Sequence, residues 1–196
     1  YFATHFVKFA SPTLIQKLLQ DENPPSLLIE VVVIISQLAR IKSENYEYIA
    51  ECNIGAHLLK LLKHEDPGVR SKICNLIGNM CRHNDQFYSD LIQYGLLNEL
   101  ITRCRDIDAT TRKFACFAIG NAGFHNNRLY PQLKTSIPPL IELLSDVEEK
   151  TRANAAGALG NLVRNSDELC GDLINSGSID KLIDTLGDKG PNARKI

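Results

Sequence analysis

The sequence predicts an all-α solenoid in which a unit of three helices recurs about every 42 residues. The first observation is the dipeptide Gly-Asn, which recurs at residues 78–79, 120–121 and 160–161, at spacings of 42 and 40 residues. The second is an arginine that stands nine residues before each of these asparagines. The third is an apolar spacing of i, i+1, i+4 in the segments between them, which is typical of one face of an amphipathic helix. No segment alternates with the period of two that a half-buried strand shows, so we expect helices throughout.

The unit that contains Gly120-Asn121 illustrates the three predicted helices. We expect an opening helix at residues 86–93, a second at 97–104 and a long third helix at 109–122. Two helices per unit are the alternative for a repeat of this length, but three helices fit the spacing of the apolar positions better.

The other units keep this frame with local changes. In the first, Ser36-Gln37 replaces Gly-Asn, and the apolar stretch at 27–39 is shorter than the ~20 residues of a membrane-spanning helix, so it predicts a buried helix. In a later unit, Pro138 and Pro139 open the second helix, where the first N–H groups need no intrahelical partner. We assign one domain, with a degenerate repeat at about residues 13–55, repeats at about 56–95, 96–136 and 137–177, and a partial repeat at 178–196.

Composition argues against several classes of function. The 22 Lys+Arg against 23 Asp+Glu give a formal net charge of −1, which provides no positive field for nucleic acid or an anionic membrane surface. Six cysteines occur without a C-x-x-C pair, so we expect no metal site and no disulfide framework, and we expect a reducing, cytoplasmic compartment. Hydrolase, metalloprotease, phosphate-loop and kinase motifs are absent, and we expect no catalytic residue, cofactor or small-molecule substrate in this segment.

Two segments resemble known repeats. Residues 153–162, Ala-Asn-Ala-Ala-Gly-Ala-Leu-Gly-Asn-Leu, resemble the third helix of armadillo repeats, and this resemblance covers nearly the whole chain. The segment 118–186, with its Ile-Gly-Asn-Ala at 119–122 and Ser-Ile-Pro at 136–138, resembles the C-terminal armadillo array of Fused-type serine/threonine protein kinases. The same motifs also resemble those of the uncoordinated-51-like pseudokinase relatives and of other armadillo arrays of flagella and cilia.

The resemblance implies a right-handed armadillo solenoid that serves as a protein-interaction scaffold. It also implies a parent protein with an N-terminal kinase domain, and partners such as kinesin-like motors and, in animals, regulators of Hedgehog signalling. An association with cilia or the cytoskeleton is implied in the same way. The chain opens with Tyr1 and its one methionine is Met80, and we expect a segment of a longer protein, interrupted in its last third helix after Arg194.

The third helices of such an array would line a concave groove. Groove residues then lie one helical turn from each asparagine, at i−4 and at i+3 or i+4. An asparagine amide can bond both the C=O and the N–H of an extended chain. The predicted peptide-groove residues are Asn75, Asn79, Arg82, His83, Phe117, Asn121, His125, Asn161 and Arg164.

The anchor column of this groove lies four residues before each asparagine. Nuclear-import armadillo adaptors carry tryptophan there, whereas this chain has none and Phe117 is its one candidate anchor. Arg82 and Arg164, with little acid nearby, favour an acidic or apolar ligand over a basic one.

Structural roles are the alternative for these columns. The asparagines can join neighbouring repeats rather than a ligand. We expect the arginine column to bond carbonyls or acids of the adjacent repeat; it consists of Arg70, Arg112, Arg152 and Arg194. We expect the tyrosines of another column to pack with their hydroxyl groups in water; they are Tyr46, Tyr88 and Tyr130. The alternative function is that the array is a structural part of a microtubule-based assembly and uses its outer surface.

Overall fold

The computed structural model describes residues 2–186, and within that range the chain is helical without a strand. Three helices recur four times, and two more helices follow. The first three sets are α1 (Phe2–Phe9), α2 (Pro12–Leu18) and α3 (Pro25–Ile41); α4 (Tyr46–Glu51), α5 (Gly55–Leu61) and α6 (Pro67–Met80); and α7 (Tyr88–Gln93), α8 (Leu96–Arg103) and α9 (Ala109–Ala122). The remaining helices are α10 (Tyr130–Leu133), α11 (Ile137–Leu143), α12 (Glu149–Asn161), α13 (Cys170–Asn175) and α14 (Ser178–Leu186). Short 3₁₀ turns at Ser43–Asn45 and Lys134–Ser136 precede α4 and α11.

The predicted all-α solenoid with three helices per unit is confirmed. The helices predicted at 86–93, 97–104 and 109–122 correspond to α7, α8 and α9, and their ends differ by at most two residues. Helix α1 was not predicted, because the first repeat lacks the Gly-Asn pair and its frame was assigned only from residue 13 onwards.

Aspartates begin two of the long third helices. The Asp66 carboxylate accepts hydrogen bonds from the N–H groups of Gly68 and Val69 at 2.7 and 3.2 Å, and it caps α6. Asp108 caps α9 by accepting from the Thr111 N–H at 2.7 Å. Such caps satisfy N–H groups that the first turn of a helix leaves without a partner.

The third helices pack side by side in one layer, with α3 against α6, α6 against α9, and α9 against α12. We call the exposed side of this layer the third-helix face. Gly78 permits one of the close approaches in the layer, because a Cβ atom there would lie 2.5 Å from the Phe117 ring.

One continuous hydrophobic core runs through the stacked helices. Three tyrosines that open first helices are fully buried in it, namely Tyr46, Tyr88 and Tyr130. Each hydroxyl donates to the backbone carbonyl of an asparagine at or near the end of the third helix in the same set: Tyr46 to Asn79 at 2.6 Å, Tyr88 to Asn121 at 3.4 Å and Tyr130 to Asn161 at 2.7 Å. The expectation that these hydroxyl groups lie in water was wrong, because each buried hydroxyl bonds an asparagine carbonyl that also accepts a backbone N–H from three residues further on.

Between residues 2 and 186, no helix combines the length and the apolar character needed to cross a membrane.

Candidate functional site

The arginines of the column Arg70, Arg112 and Arg152 donate hydrogen bonds to backbone carbonyls of the turn that precedes each third helix. Arg70 donates from Nε and Nη2 to both carboxylate oxygens of Asp106, at 2.8 Å each, and from Nη1 to the carbonyls of His64 and Glu65. Asp106 lies in the turn before α9, so this bidentate ion pair joins two consecutive sets of helices.

Arg112 repeats the arrangement, and Arg152 repeats the bonds to its own turn. Arg112 donates from Nε to the Asp146 carboxylate at 2.7 Å and from Nη1 to the Asp106 carbonyl at 2.9 Å. Arg152 donates from Nη1 to the carbonyls of Asp146 and Val147. Arg70 and Arg112 therefore join neighbouring sets as well as bonding their own turns, the bonds given for Arg152 hold its own turn, and Arg194 lies outside the described residues.

Asp106 is the buried acid of this junction. Burial acts to raise the pKa of its carboxyl, but hydrogen bonds from Arg70 and from the Asp108 N–H outweigh it, so the pKa lies below its ordinary value. The carboxylate therefore stays ionised and paired at neutral pH.

The asparagine column also bonds the preceding set. Asn121 and Asn161 donate from Nδ2 to the backbone carbonyls of Gly78 and Gly120, at 2.8 and 2.9 Å. Asn79 is only 3% exposed, and its Nδ2 donates to Ser36 Oγ at 2.8 Å. One donor of each amide thus joins neighbouring repeats, and the Asn79 side chain does not reach the third-helix face.

A second polar row lies four residues after these asparagines. The Nε2 atoms of His83 and His125 lie 3.1 Å from the carbonyls of Arg40 and Cys81. Because a carbonyl oxygen only accepts, each Nε2 carries the proton of its bond. Asn165 completes the row by donating to the Phe124 carbonyl at 2.9 Å. His83 and His125 were predicted as groove residues, and the contacts that the structure gives their Nε2 atoms also join consecutive repeats.

An open cavity of about 490 Å³ lies on the third-helix face between α6, α9 and α12. Two predicted groove residues, Asn75 and Phe117, line it. The sequence analysis did not predict its other lining residues, which are Lys113, Phe114, Lys150, Ala153 and Asn154. Phe114 and Asn154 lie seven residues before Asn121 and Asn161, so extending the helical spacing by one more turn would have found both.

Arg82 and Arg164 are exposed but do not line the cavity, and their role as groove residues stays a prediction. The guanidinium carbon of Arg164 lies 4.2 Å from the centroid of the Phe124 ring, within the range of a cation–π contact. This aromatic surface was not predicted, because Phe124 follows the end of α9 and lies outside the helical columns.

The cysteines pack in the core. Five are buried and Cys170 is half-buried. Burial raises the pKa of the Cys81 thiol to about 12, which keeps it protonated. Within residues 2–186, no three His, Cys, Asp or Glu side chains come together in a way that could bind a metal ion.

Known proteins resemble this chain in sequence and in fold. An armadillo/β-catenin-like repeat model matches residues 42–82 and 133–164. Serine/threonine-protein kinase TIO of Arabidopsis thaliana is 57% identical over 178 residues, which cover 90% of this chain and 14% of that protein. The chain therefore spans only a small part of this relative, which is a kinase as the resemblance to Fused-type kinases predicted.

Solved structures match the fold at lower identity. A designed armadillo repeat protein in complex with the peptide (KR)4 matches with a TM-score of 0.90 at 24% identity, over 98% of this chain and 81% of that one. A computationally designed armadillo repeat protein for modular peptide recognition matches with a TM-score of 0.88, also at 24% identity, over 98% of this chain and 82% of that one. These structures show the armadillo fold, and the repeat model and the 57% identical relative, together with the recurring Gly-Asn pair, show that the chain belongs to the armadillo-repeat family.

Proposed function

We propose that this chain is a non-catalytic docking segment of a Fused-type serine/threonine protein kinase, and that it binds an extended or helical segment of a partner protein on its third-helix face. The observation that carries the proposal is the cavity between α6, α9 and α12, in which Phe117 supplies an aromatic wall beside polar and cationic side chains. Pockets that combine apolar walls with a few polar groups are typical of binding sites.

The expected partner is a kinesin-like motor or a signalling regulator, met in the cytoplasm at the cytoskeleton or a cilium. The support is the resemblance to Fused-type kinases, together with the 57% identity to a serine/threonine-protein kinase over most of the chain. The peptide complex of a designed armadillo protein supports peptide binding by this fold.

Two amides remain suited to a ligand backbone. Asn121 and Asn161 are half-buried, and each uses one N–H on the preceding repeat, which leaves its carbonyl oxygen and second N–H for a ligand. Each such hydrogen bond contributes about 0.5–1.5 kcal/mol, whereas micromolar affinity needs about 8 kcal/mol. Most of the affinity must therefore come from side chains bound in the cavity.

A pull-down with matched charge reversals tests the proposal. Lys150→Glu changes an exposed cavity residue, and Lys17→Glu makes the same change on the exposed side of α2, away from the third helices. With recombinant kinesin-like tail segments as bait, we expect Lys150→Glu to lose capture and Lys17→Glu to retain it. Equal capture by both variants, with unchanged melting temperatures, would remove the third-helix face as the docking site.

The second candidate function, a structural role through the outer surface, is favoured by a different observation. Ile107 and Val147 stand at equivalent positions in the turns before α9 and α12, and they are 94% and 87% exposed. Two apolar side chains repeated along one edge can contact a neighbouring protein. If Ile107→Ser combined with Val147→Ser loses capture while Lys150→Glu retains it, the outer surface is the docking site.

A further inference from the structure

Glu148 departs from the capping pattern of the third helices. Asp66, Asp108 and Glu148 occupy equivalent positions, four residues before Arg70, Arg112 and Arg152. Both aspartates cap their helices, whereas Glu148 makes no capping hydrogen bond to α12. Instead, its Oε2 lies 3.5 Å from Lys113 Nζ, at the edge of the cavity.

This departure leaves a buried hydroxyl without a partner. Thr111 Oγ1 bonds the capping carboxylate of Asp108 at 2.7 Å. The equivalent Thr151 is fully buried, and its Oγ1 has no hydrogen-bond partner among residues 2–186. The start of α12 is thus locally unsatisfied, and such departures from local preference are typical of functional sites.

The carboxylate of Glu148 neutralises one of two lysines at the cavity. Lys113 and Lys150 both line the cavity beside Phe114 and Phe117. The Lys113–Glu148 contact is an ion pair of 3.5 Å in which Glu148 Oε2 is buried and makes no hydrogen bond to any described residue, so a ligand carboxylate that hydrogen-bonds Lys113 can replace it. A basic ligand would instead meet two lysines and one carboxylate that is already paired.

We propose that the cavity binds an acidic segment of a partner, in which an aromatic or aliphatic side chain packs on Phe114 and Phe117 while a neighbouring carboxylate binds Lys113 and Lys150. Glu148 is then an internal competitor, which holds Lys113 until the ligand carboxylate displaces it. This inference rests on the proposed docking function and names the class of ligand for the same site. The apolar contact provides most of the affinity, and the lysines select against basic segments.

An NMR titration of the ¹⁵N-labelled chain tests this inference with three probes: acetyl-Glu-Glu-Phe-Glu-Glu-amide, the same peptide with alanine for phenylalanine, and the same peptide with lysines for the glutamates. We expect the first probe to shift the amide signals of Lys113, Phe117 and Lys150 saturably, and the other two to bind at least fivefold more weakly. Glu148→Gln removes the competitor and should increase the affinity for the first probe about two- to fivefold, since a partly exposed ion pair contributes a free energy equivalent to about that factor.

Glu142→Gln is the matched control, because it removes one carboxylate from an exposed pair with Arg105 that lies away from the cavity. It should leave the affinity within a factor of about 1.5 of the unsubstituted chain. Equal affinities of Glu148→Gln and Glu142→Gln would overturn the competitor role. If Glu148→Gln does not fold, Lys150→Gln is used in its place, and it must lower the affinity for the first probe.

The outcomes separate this inference from the proposed function. Binding of the lysine probe at Lys113 and Phe117, as tight as the glutamate probe or tighter, would overturn the acidic class and leave docking on the third-helix face intact. Shifts confined to residues outside α6, α9 and α12 would overturn both. Absence of saturable shifts with the glutamate probe at millimolar concentration would overturn the acidic class.

Discussion

The carboxylate of Asp106 accepts hydrogen bonds both from its own set of helices and from the preceding set. It accepts from Arg70 and Arg103, at 2.8–2.9 Å, and from the Asp108 N–H at 3.0 Å. A carboxylate shared between neighbouring sets links the stability of one set to that of the next.

We predict that Asp106→Asn lowers the free energy of unfolding by about 3–5 kcal/mol at pH 7, because it leaves the buried guanidinium of Arg70 without a counter-charge. The pKa of Asp106 is lowered in the folded chain, so its contribution is present above the unfolded value of about 3.9 and is lost as the pH falls through the folded value. Urea denaturation at pH 7 and from pH 4.5 to 2.5 measures the free energy of unfolding of the unsubstituted chain and of Asp106→Asn. The difference between these two free energies should shrink as the pH falls. A constant difference would contradict this role.

The buried tyrosine hydroxyls allow a graded comparison. Tyr46 donates to the Asn79 carbonyl at 2.6 Å and accepts from the His83 N–H at 3.2 Å, whereas the bond from Tyr88 to the Asn121 carbonyl is 3.4 Å long. Tyr46→Phe should therefore destabilise by about 1–3 kcal/mol, and Tyr88→Phe by less than about 1 kcal/mol. Thermal unfolding of both variants measures this, and the reverse order would show that hydroxyl geometry does not set the stability.

At the scale of the helix, the start of α12 is the weakest cap among the third helices that follow α3. Glu148→Asp should restore the side-chain bond to the first turn and give Thr151 Oγ1 a partner, with a gain of about 0.5–2 kcal/mol. Asp108→Glu in α9 is the matched opposite change and should destabilise by a similar amount. The melting temperatures of the two variants should move in opposite directions, and a shift of both in one direction would refute the capping argument.

Two glycines of the third helices should respond oppositely to alanine. A Cβ at Gly157 would meet nothing within 4 Å, so Gly157→Ala should stabilise α12 by about 0.5–1 kcal/mol through helix propensity. A Cβ at Gly78 would lie 2.5 Å from the Phe117 ring, so Gly78→Ala should push that ring away and destabilise the chain. Circular dichroism melting measures the stability of both variants, and the NMR signals of the Phe117 ring report its displacement. If both alanine substitutions stabilise the chain, the close approach at Gly78 is contradicted.

The helices were largely predictable from the sequence, because the Gly-Asn and arginine columns recur and the apolar spacing follows them. The third-helix face was predictable in the same way, but the hydrogen-bond partner and the burial of each asparagine amide were not. Asn121 and Asn161 each donate to a glycine carbonyl of the preceding repeat. The repeat before Asn79 has Ser36 in place of this glycine, and Asn79 is buried and donates to the Ser36 hydroxyl. The hydrogen-bond partner of each asparagine thus depends on the residue some 40 positions earlier, and the asparagine positions alone do not reveal it.

At the scale of the whole molecule, each set of helices contacts its neighbours along the array. Helices α6 and α9 have third helices on both sides, whereas α1 and α2 lie at one end. Stability in such arrays depends on nearest-neighbour interfaces, so the ends open more easily than the middle.

Amide hydrogen exchange should therefore be slowest in α6 and α9 and fastest in α1 and α2. Mass spectrometry after timed exchange measures the pattern. Asp106→Asn should accelerate exchange in both α6 and α9, since the Arg70 ion pair joins their sets. Acceleration confined to α9 would show that the two sets open independently.

The bonds of Asn121 and Asn161 run in one direction, from the side chain of a later set to a main-chain glycine carbonyl of the set before it. The set α7–α9 both contributes such an amide, Asn121, and offers such a carbonyl, that of Gly120. A copy of this set inserted directly after it would therefore form the same asparagine bond at both of its junctions, so tandem duplication of this set needs no compensating change for these bonds in the flanking sets.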